Sequence, residues 1–217
     1  MDKIVIASGN QHKIEEFRTL FAPLGITVIG MKECGTFAEP EETGTTFAAN
    51  AVIKAEALCA QLGCTVISDD SGLEIDALNK EPGVYSARYL GHDTSYEIKN
   101  RNLIERVSGQ ADRTCRFVCA IALARPGRPT EVFEGTVEGT VAFQPAGGQG
   151  FGYDLCHFIP GHGFVTFEGA IRISVHHTGR CQFCYGSISP VACRQIRERV
   201  GGKCRGADAH SHGQSIH

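Results

Sequence analysis

The order of apolar runs in the first third of the chain constrains the fold more than any other feature of this sequence. Three short runs predict strands: "KIVIA" (3–7), "ITVIG" (26–30) and "CTVIS" (64–68). Two longer stretches between them predict helices, one from Gln11 to near Pro23 and one over 46–63. The chain therefore begins as strands that alternate with helices.

Both predicted helices place their apolar residues on one face. The first has Ile14, Phe17, Leu20 and Phe21 at helical spacing, and the second has Phe47, Ala51, Ala55, Leu58 and Leu62, with Gly63 as a natural stop. Residues 95–107 predict a further amphipathic helix. Residues 115–124 and 131–143 predict two long strands joined by "RPGRPT" as a hairpin. Together these elements predict an α/β fold with a mixed sheet.

Length and composition bound the class of protein. The 217 residues fit one large domain, or one domain with two lobes. Hydrophobic content of 42% with 21% charged residues is ordinary for a globular protein, and a net charge of -3 gives no indication of a nucleic-acid surface. "MDKIVIASGN" is charged at once and has only a short apolar run, which favours a first strand over a signal peptide or membrane span. We expect a cytoplasmic protein without nucleic-acid or membrane partners.

Ten cysteines are many for a chain in a reducing compartment, where free thiols, metal ligands or catalytic groups are expected. Five are scattered through the first 150 residues, where a small buried hydrophobe is the expected role. The other five lie close together in the last part of the chain: Cys156, Cys181, Cys184, Cys193 and Cys204.

Two adjacent aspartates, Asp69 and Asp70, follow the predicted third strand in "VISDDSGLEID" (66–76). Neighbouring carboxylates repel each other unless a cation or a hydrogen-bond network compensates. The pair therefore suggests a metal site, which Glu41 and Glu42 of "EETG" would complete if the two loops converge, because Mg²⁺ takes a few carboxylate oxygens plus water and phosphate. The alternatives are a polar turn after the strand and an exposed acidic loop.

Two further segments suggest a nucleotide site. "SGNQHK" (8–13) forms a strand, turn and helix start, which directs backbone N–H groups at one point and favours phosphate, with Lys13 as a nearby charge. The alternative is an Asx-type turn with a solvated lysine. In "GGQGFGYD" (147–154), glycines permit close backbone approach and Phe151 or Tyr153 offers an aromatic face for a base. The alternative there is a hairpin loop.

The motifs "ASGNxxK", "EETGxTFxxNAxxKA", "DDSGLxIDAL", "PGVYSARY" and "GFGYD", in this order, resemble one enzyme family closely. They are similar to the inosine triphosphate pyrophosphatases, also called dITP/XTP pyrophosphatases, which cleave deaminated purine nucleoside triphosphates. The resemblance covers residues 1 to about 154. It implies a two-lobed α/β fold in which a mixed sheet flanked by helices encloses a central cleft, and it implies a homodimer.

The resemblance also implies residue roles. Asp70 is implied as the general base and, with Glu41, as a ligand of Mg²⁺, although Glu42 and Asp69 could exchange roles with their neighbours. Ser71 is implied to touch the substrate beside the base. The triphosphate contacts are Ser8, Gly9, Asn10, Gln11, His12 and Lys13, and the purine and ribose contacts are Phe151, Gly152, Tyr153 and Asp154.

The last part of the chain, 155–217, departs from the family pattern. The usual proline after Asp154 is absent, as are the lysine and the Ser-His-Arg tripeptide that follow the "GFGYD" loop in the family. One alternative function is therefore a nucleotide-binding protein with impaired turnover. Another is a zinc-linked interaction module built on Cys181-x-x-Cys184 and nearby His and Cys residues, although a single CxxC is weak support.

We hypothesise that the last part of the chain is read out of frame. Residues 176–182 can be encoded as CAT CAC ACC GGG CGG TGC CAG, and the same string read from its third base encodes Ser-His-Arg-Ala-Val-Pro. We predict that sequencing the gene will reveal an open frame at this offset encoding the missing elements. A gene without such a frame contradicts the hypothesis.

Overall fold

A seven-stranded mixed sheet forms the centre of the protein in the computed structural model, which describes residues 3–38, 40–145, 153, 157–159 and 163–164. The strand order is 2-1-3-4-5-6-7. In chain order the elements are β1 (Lys3–Ile6), α1 (Gln11–Phe21), β2 (Thr27–Gly30), α2 (Met31–Cys34), α3 (Phe47–Leu62), β3 (Val66–Ile75), α4 (Tyr96–Arg106), β4 (Thr114–Arg125), β5 (Arg128–Val141), β6 (His157–Ile159) and β7 (Gly163–Phe164). Short 3₁₀ helices span Ala22–Leu24, Asp76–Leu78 and Gly83–Arg88.

Strand β3 is much longer than the parallel strand beside it. β1 runs parallel to β2 and β3 but pairs with β3 only at Val66 and Ile67, whereas β4 pairs antiparallel with β3 along its whole length. Beyond Ile67, one edge of β3 therefore lacks a neighbouring strand within the described ranges, apart from an isolated bridge between Glu74 and Pro82. The 3₁₀ helix Gly83–Arg88 packs against this edge.

Helices cover both faces of the sheet at the β1 end. The buried side of α1 packs on one face through Ile14, Phe17, Leu20 and Phe21. Burial of each such side chain stabilises the fold by about 1.5–3 kcal/mol. The other face meets α3 through alanines on both partners, which lets the helix lie close to the sheet: Ala51, Ala55, Ala120, Ala122 and Ala124. Ser68 on β3 donates a hydrogen bond to the carbonyl of Ala51.

A third apolar cluster lies at the other end of the long strands. Leu103 and Val107, from α4 and its end, are buried with Leu73 and Ile75 of β3 and Phe117 of β4. β3 and β4 therefore cross from a lobe built on α1 and α3 into a second lobe built on α4. This confirms the predicted two-lobed α/β fold with a mixed sheet flanked by helices.

The predicted helices and hairpin are confirmed. The first helix buries the four residues named from its periodicity, the second ends at Leu62 beside the predicted stop, and the third lies within 95–107. β4 and β5 form the predicted antiparallel hairpin.

One sequence prediction was wrong: the third strand does not end before Asp69 and Asp70. β3 continues to Ile75, and these residues pair with Ile121 and Ala120 of β4. Because side chains alternate along a strand, the two carboxylates point to opposite faces of the sheet. Neither a turn nor a shared cation is needed to keep them apart.

The cysteines in the described part of the chain are free thiols, as predicted. Cys59, Cys115 and Cys119 are buried, while Cys34 and Cys64 are partly exposed. Burial raises the pKa of Cys115 to about 12, so this thiol stays protonated and packs as a small hydrophobe.

Among the helices described, none combines the length and apolar character needed to cross a membrane. The Cys181-x-x-Cys184 segment and the rest of the chain after Phe164 lie outside the described residues, so the division at residue 154 stays a prediction.

Gly72 permits the close approach of β3 and the 3₁₀ helix. A Cβ atom at this position would lie 2.3 Å from Ser86 Oγ and 2.8 Å from the Gly83 carbonyl oxygen. Ser86 Oγ in turn accepts a hydrogen bond from the Leu73 backbone N–H at 3.0 Å. The absence of a side chain at Gly72 therefore lets the 3₁₀ helix pack directly on β3.

We predict that Gly72→Ala lowers the free energy of unfolding by about 1–3 kcal/mol, because overpacking forces the 3₁₀ helix away from β3. Urea denaturation measures this change. Ser86→Gly removes two of the atoms nearest to the new methyl group, so the double variant should lose less stability than the sum of the two single changes. Additive losses would contradict the contact described here.

Candidate functional site

A cavity of about 660 Å³ opens at the carboxyl end of β1, where β3 runs on without its parallel neighbour. Its walls come from the β1–α1 loop, residues 40–42, α3, the middle of β3 and the 3₁₀ helix Gly83–Arg88. Ligands of open α/β sheets bind at this position, outside the carboxyl ends of the parallel strands. All four acidic residues singled out in the sequence line it: Glu41, Glu42, Asp69 and Asp70.

Asp69 is paired with Lys13 on one face of β3. Lys13 Nζ lies 2.5 Å from Asp69 Oδ2 and donates a second hydrogen bond to Ser71 Oγ at 3.2 Å. Asp69 is only 2% exposed. The alternative of a solvated lysine is therefore wrong, because α1 carries Lys13 over the sheet onto a buried carboxylate.

The pKa values of this pair move apart. Burial lowers the pKa of Lys13, but the charge and hydrogen bond of Asp69 outweigh burial and hold that pKa above its ordinary value. Burial also raises the pKa of Asp69, but the charges of Lys13 and Lys54 outweigh it and hold the pKa below the usual range. Both groups are charged at neutral pH.

Asp70 lies in a different environment on the opposite face. Asn50 Nδ2 donates to Asp70 Oδ2 at 3.1 Å, and Lys54 Nζ lies 3.5 Å from Asp70 Oδ1. Asn50 and Lys54 are four residues apart on α3 and therefore share one face of the helix. Burial raises the pKa of Asp70 and the negative charge of Glu42 adds to this, against the opposing effects of Lys54 and Asn50. Asp70 is thus the more basic of the two aspartates.

The "EETG" segment is fixed to α3 by its glycine. The Gly44 backbone N–H donates to Asn50 Oδ1 at 2.8 Å, and a Cβ atom on Gly44 would lie 2.5 Å from that oxygen. The Asn50 side chain therefore binds the loop through its amide oxygen and binds Asp70 through its amide nitrogen.

Glu42 is not an exposed loop residue, contrary to one alternative from the sequence. Its Oε1 lies 2.8 Å from Lys54 Nζ and its Oε2 lies 3.1 Å from Arg88 NH1. Lys54 therefore lies between Glu42 and Asp70, and is closer to Glu42.

The β1–α1 loop presents the start of α1 to the cavity. Asn10 caps the helix by accepting a hydrogen bond from the His12 backbone N–H at 2.9 Å, and its own N–H donates to Ser8 Oγ at 3.2 Å. Ser8, Gly9 and Asn10 line the cavity with Lys13. Gln11 lies on the exposed side of α1, where its amide donates to Glu15. A helix N-terminus beside a lysine favours an anionic group.

The oxygen donors fit a hard cation that keeps most of its ligands from water and phosphate. Within residues 3–38 and 40–145, no group of three or more His, Cys, Asp and Glu side chains is arranged to hold a metal. Mg²⁺ requires fewer, because one or two carboxylates with phosphate and water suffice. Glu41 and Asp70 line the same cavity, and the buried Asp69 Oδ1 has no hydrogen-bond partner among the described residues.

Of the four residues implied to contact the purine and ribose, only Tyr153 is described. It is buried in the cluster beneath α4, its hydroxyl donates to the Ser86 carbonyl at 2.7 Å, and its ring meets Tyr96 edge-on. Phe151, Gly152 and Asp154 lie outside the described residues. A base-binding role for this segment stays a prediction.

Sequence reasoning missed three residues of the site: Asn50, Lys54 and Arg88. Asn50 and Lys54 are polar residues spaced four apart in a mostly apolar helix, and that spacing was a signal that both face one partner. Arg88 belongs to the motif "PGVYSARY", but the motif gave no indication that the 3₁₀ helix lies opposite residues 40–42.

The fold and the site define an α/β protein with a charged cavity at the carboxyl end of β1, and comparisons with known proteins place it in a family. The Ham1 family model matches residues 4–177, so this chain belongs to the Ham1 family. The match extends past residue 154, where the resemblance read from motifs was expected to stop.

Curated relatives are similar over most of their length. The dITP/XTP pyrophosphatase of Exiguobacterium sp. is 45% identical over 158 residues, which cover 73% of this chain and 81% of the relative. That of Listeria innocua is 46% identical over 170 residues, covering 77% and 84%. The solved structure of the Staphylococcus aureus Ham1 protein superposes with a TM-score of 0.75 at 38% identity, covering 92% of this chain and 98% of that one.

We predict that the two adjacent aspartates have opposite effects on stability. Asp69→Asn should lower the free energy of unfolding by about 3–5 kcal/mol at pH 7, because it leaves Lys13 partly buried without its counter-charge. Asp70→Asn should raise the melting temperature, because the native state holds Asp70 at a raised pKa and its charge therefore opposes folding.

The pH dependence separates these effects. The stabilisation from Asp69 is present above its unfolded pKa and is lost as pH falls through its lowered native pKa. Below that pH, the stabilities of the parent and Asp69→Asn should converge in thermal melts recorded across acid pH. A destabilised Asp70→Asn, or an Asp69→Asn as stable as the parent at pH 7, would contradict the assignment.

Proposed function

We propose that this chain hydrolyses the triphosphates of deaminated purines, namely ITP, dITP and XTP, to the nucleoside monophosphate and pyrophosphate. Its curated relatives are named dITP/XTP pyrophosphatase and are 45–46% identical to it. The impaired-turnover alternative has no support in these comparisons.

One observation of the structure carries the proposal. Asp69 and Asp70 are neighbours in β3, yet one is neutralised by a buried lysine and the other stays basic beside a cavity that admits an anion. A hydrolase needs both: a fixed charge pair that positions a phosphate-binding lysine, and a carboxylate that accepts a proton.

The reaction then follows from the chain's own residues. Asp70 takes a proton from a water molecule, which attacks the phosphorus next to the nucleoside, and pyrophosphate leaves. Lys13 and the N-terminus of α1 balance the charge of the phosphates, and Ser71 touches the substrate beside the base. Asn50 orients the base by donating to Asp70 Oδ2.

Glu41 and Asp70 are the residues that would hold Mg²⁺. When bound, the ion supplies positive charge that stabilises the phosphoryl oxygens and the leaving pyrophosphate. Both side chains line the cavity, which is consistent with this role.

Hydrogen bonding at C6 of the purine accounts for selection of the base. Hypoxanthine and xanthine carry a carbonyl at C6, where adenine carries an amine, so a donor placed at that point accepts the first two bases. Adenine leaves the donor unpaired, at a cost of about 1–3 kcal/mol. A homodimer and a cytoplasmic location, both expected from the sequence, complete the proposal.

The direct test is pyrophosphate release from ITP, XTP and ATP with Mg²⁺. We predict efficient release from ITP and XTP and slower release from ATP, with Asp70→Asn reduced by about 10²–10⁴-fold through loss of the base. Equal rates for ATP and ITP would contradict the substrate class.

Glu41→Gln is the matched control for the two roles of Asp70. It removes a carboxylate from the same cavity without removing the proton acceptor. Raising the Mg²⁺ concentration should therefore restore much of the activity of Glu41→Gln and little of that of Asp70→Asn. Equal rescue of both variants would mean that Asp70 acts only as a metal ligand.

A further inference from the structure

Glu42 has no part in the reaction described above, yet it engages two of the cations that line the cavity. Its two carboxylate oxygens are divided between Lys54 and Arg88, at 2.8 Å and 3.1 Å. The pairing is partly buried, since the side chains of Glu42 and Lys54 are 27% and 18% exposed. A carboxylate with one oxygen on each of two cations resembles one edge of a phosphate group, because both present two oxygens that share negative charge.

We propose that Glu42 stands in for a substrate phosphate: it holds Lys54 and Arg88 in the absence of ligand and is displaced when a polyphosphate enters. This inference rests on the proposed function, because the displacing ligand is the triphosphate of the substrate. It makes Glu42 an internal competitor for two cations of the cavity.

Both cations keep their positions when Glu42 leaves. Lys54 belongs to the middle of α3 and lies 3.5 Å from Asp70 Oδ1. The guanidinium carbon of Arg88 lies 4.9 Å from the centre of the Tyr85 ring, which supports it by a cation–π contact. Only NH1 of Arg88 contacts Glu42, so the planar group retains further donors that can bind phosphate in a bidentate manner.

Glu42 itself lies on the segment between α2 and α3, whose described residues, 35–38 and 40–46, form no helix or strand. The segment is attached to α3 through the Gly44 N–H and Asn50. A shift of residues 40–43 about that attachment can move the Glu42 carboxylate without disturbing α3 or the 3₁₀ helix that carry the cations.

The competition costs each ligand the same free energy. Any ligand that occupies Lys54 and Arg88 must first displace Glu42, so its affinity falls by the same factor. The cost is a larger share of the smaller binding free energy of a monophosphate product. Return of Glu42 to Lys54 and Arg88 favours release of the products.

The test is the binding of inorganic tripolyphosphate to the full-length protein, measured by calorimetry without Mg²⁺. We predict that Glu42→Gln tightens binding about fivefold, the size expected for a partly exposed ion pair that no longer competes. Arg88→Gln should weaken binding by a similar factor. Tripolyphosphate has no purine base, and the measurement without Mg²⁺ records only its binding. The result is therefore independent of whether the protein hydrolyses ITP.

Glu41→Gln is the matched control. Glu41 lines the same cavity and its loss removes the same charge, but it forms no described ion pair with Lys54 or Arg88. Tighter binding by Glu42→Gln than by Glu41→Gln supports displacement. Equal tightening by both variants would mean that Glu42 only repels anions, as any acid in the cavity does. Weaker binding by Glu42→Gln would mean that Glu42 positions Lys54 and Arg88 for the ligand. Either result overturns the proposal.

Inorganic monophosphate completes the measurement. The proposal requires that Glu42→Gln tighten monophosphate binding by no more than the factor seen with tripolyphosphate, because a single phosphate displaces Glu42 from at most the same two cations. A larger factor for monophosphate would contradict displacement. Thermal melts of each variant establish that the compared proteins are folded.

Discussion

The site depends on the mismatch in length between β1 and β3. β1 stops after pairing with Val66 and Ile67, and β3 continues for eight more residues with β4 as the strand paired along its whole length. The space that β1 leaves becomes the cavity, and the chain that β1 feeds into becomes the anion-binding start of α1. A single difference in strand length thus places acids, lysines and a helix N-terminus around one opening.

The alternation of side chains along β3 then separates the chemistry of its two acids. Asp69 faces α1 and its lysine, while Asp70 faces α3 with Asn50 and Lys54. Although Asp69 and Asp70 are adjacent in the sequence, the pKa of Asp69 is lowered and the pKa of Asp70 is raised. Such a split between adjacent titratable groups is a common basis of acid–base assignment in enzymes.

Local sequence patterns were sufficient to predict most of the fold. The face of α1 with Phe17 and Phe21 was evident from spacing, as was the hairpin of β4 and β5. The full length of β3 was not evident from the sequence. Polar residues in the middle of a strand suggest a turn when it is not known that the neighbouring strand, β1, ends early and leaves that edge open. Motifs contain Asp70, Lys13 and Arg88, but the contact of Arg88 with Glu42 depends on the three-dimensional placement of the 3₁₀ helix, which no local pattern encodes.

The position of both acids inside a paired strand limits how this protein can change over evolution. Substitutions in β3 alter one face at a time, but insertion or deletion of one residue before Asp69 would exchange the faces of every residue after it. Asp69, which now pairs with Lys13, would then point to α3, and Asp70 would point to α1. Ten consecutive pairs with β4 resist such a slip. Length variation should therefore accumulate between α2 and residue 40 and at the β4–β5 turn, and not in β3 or in the part of the loop that carries Glu41 and Glu42.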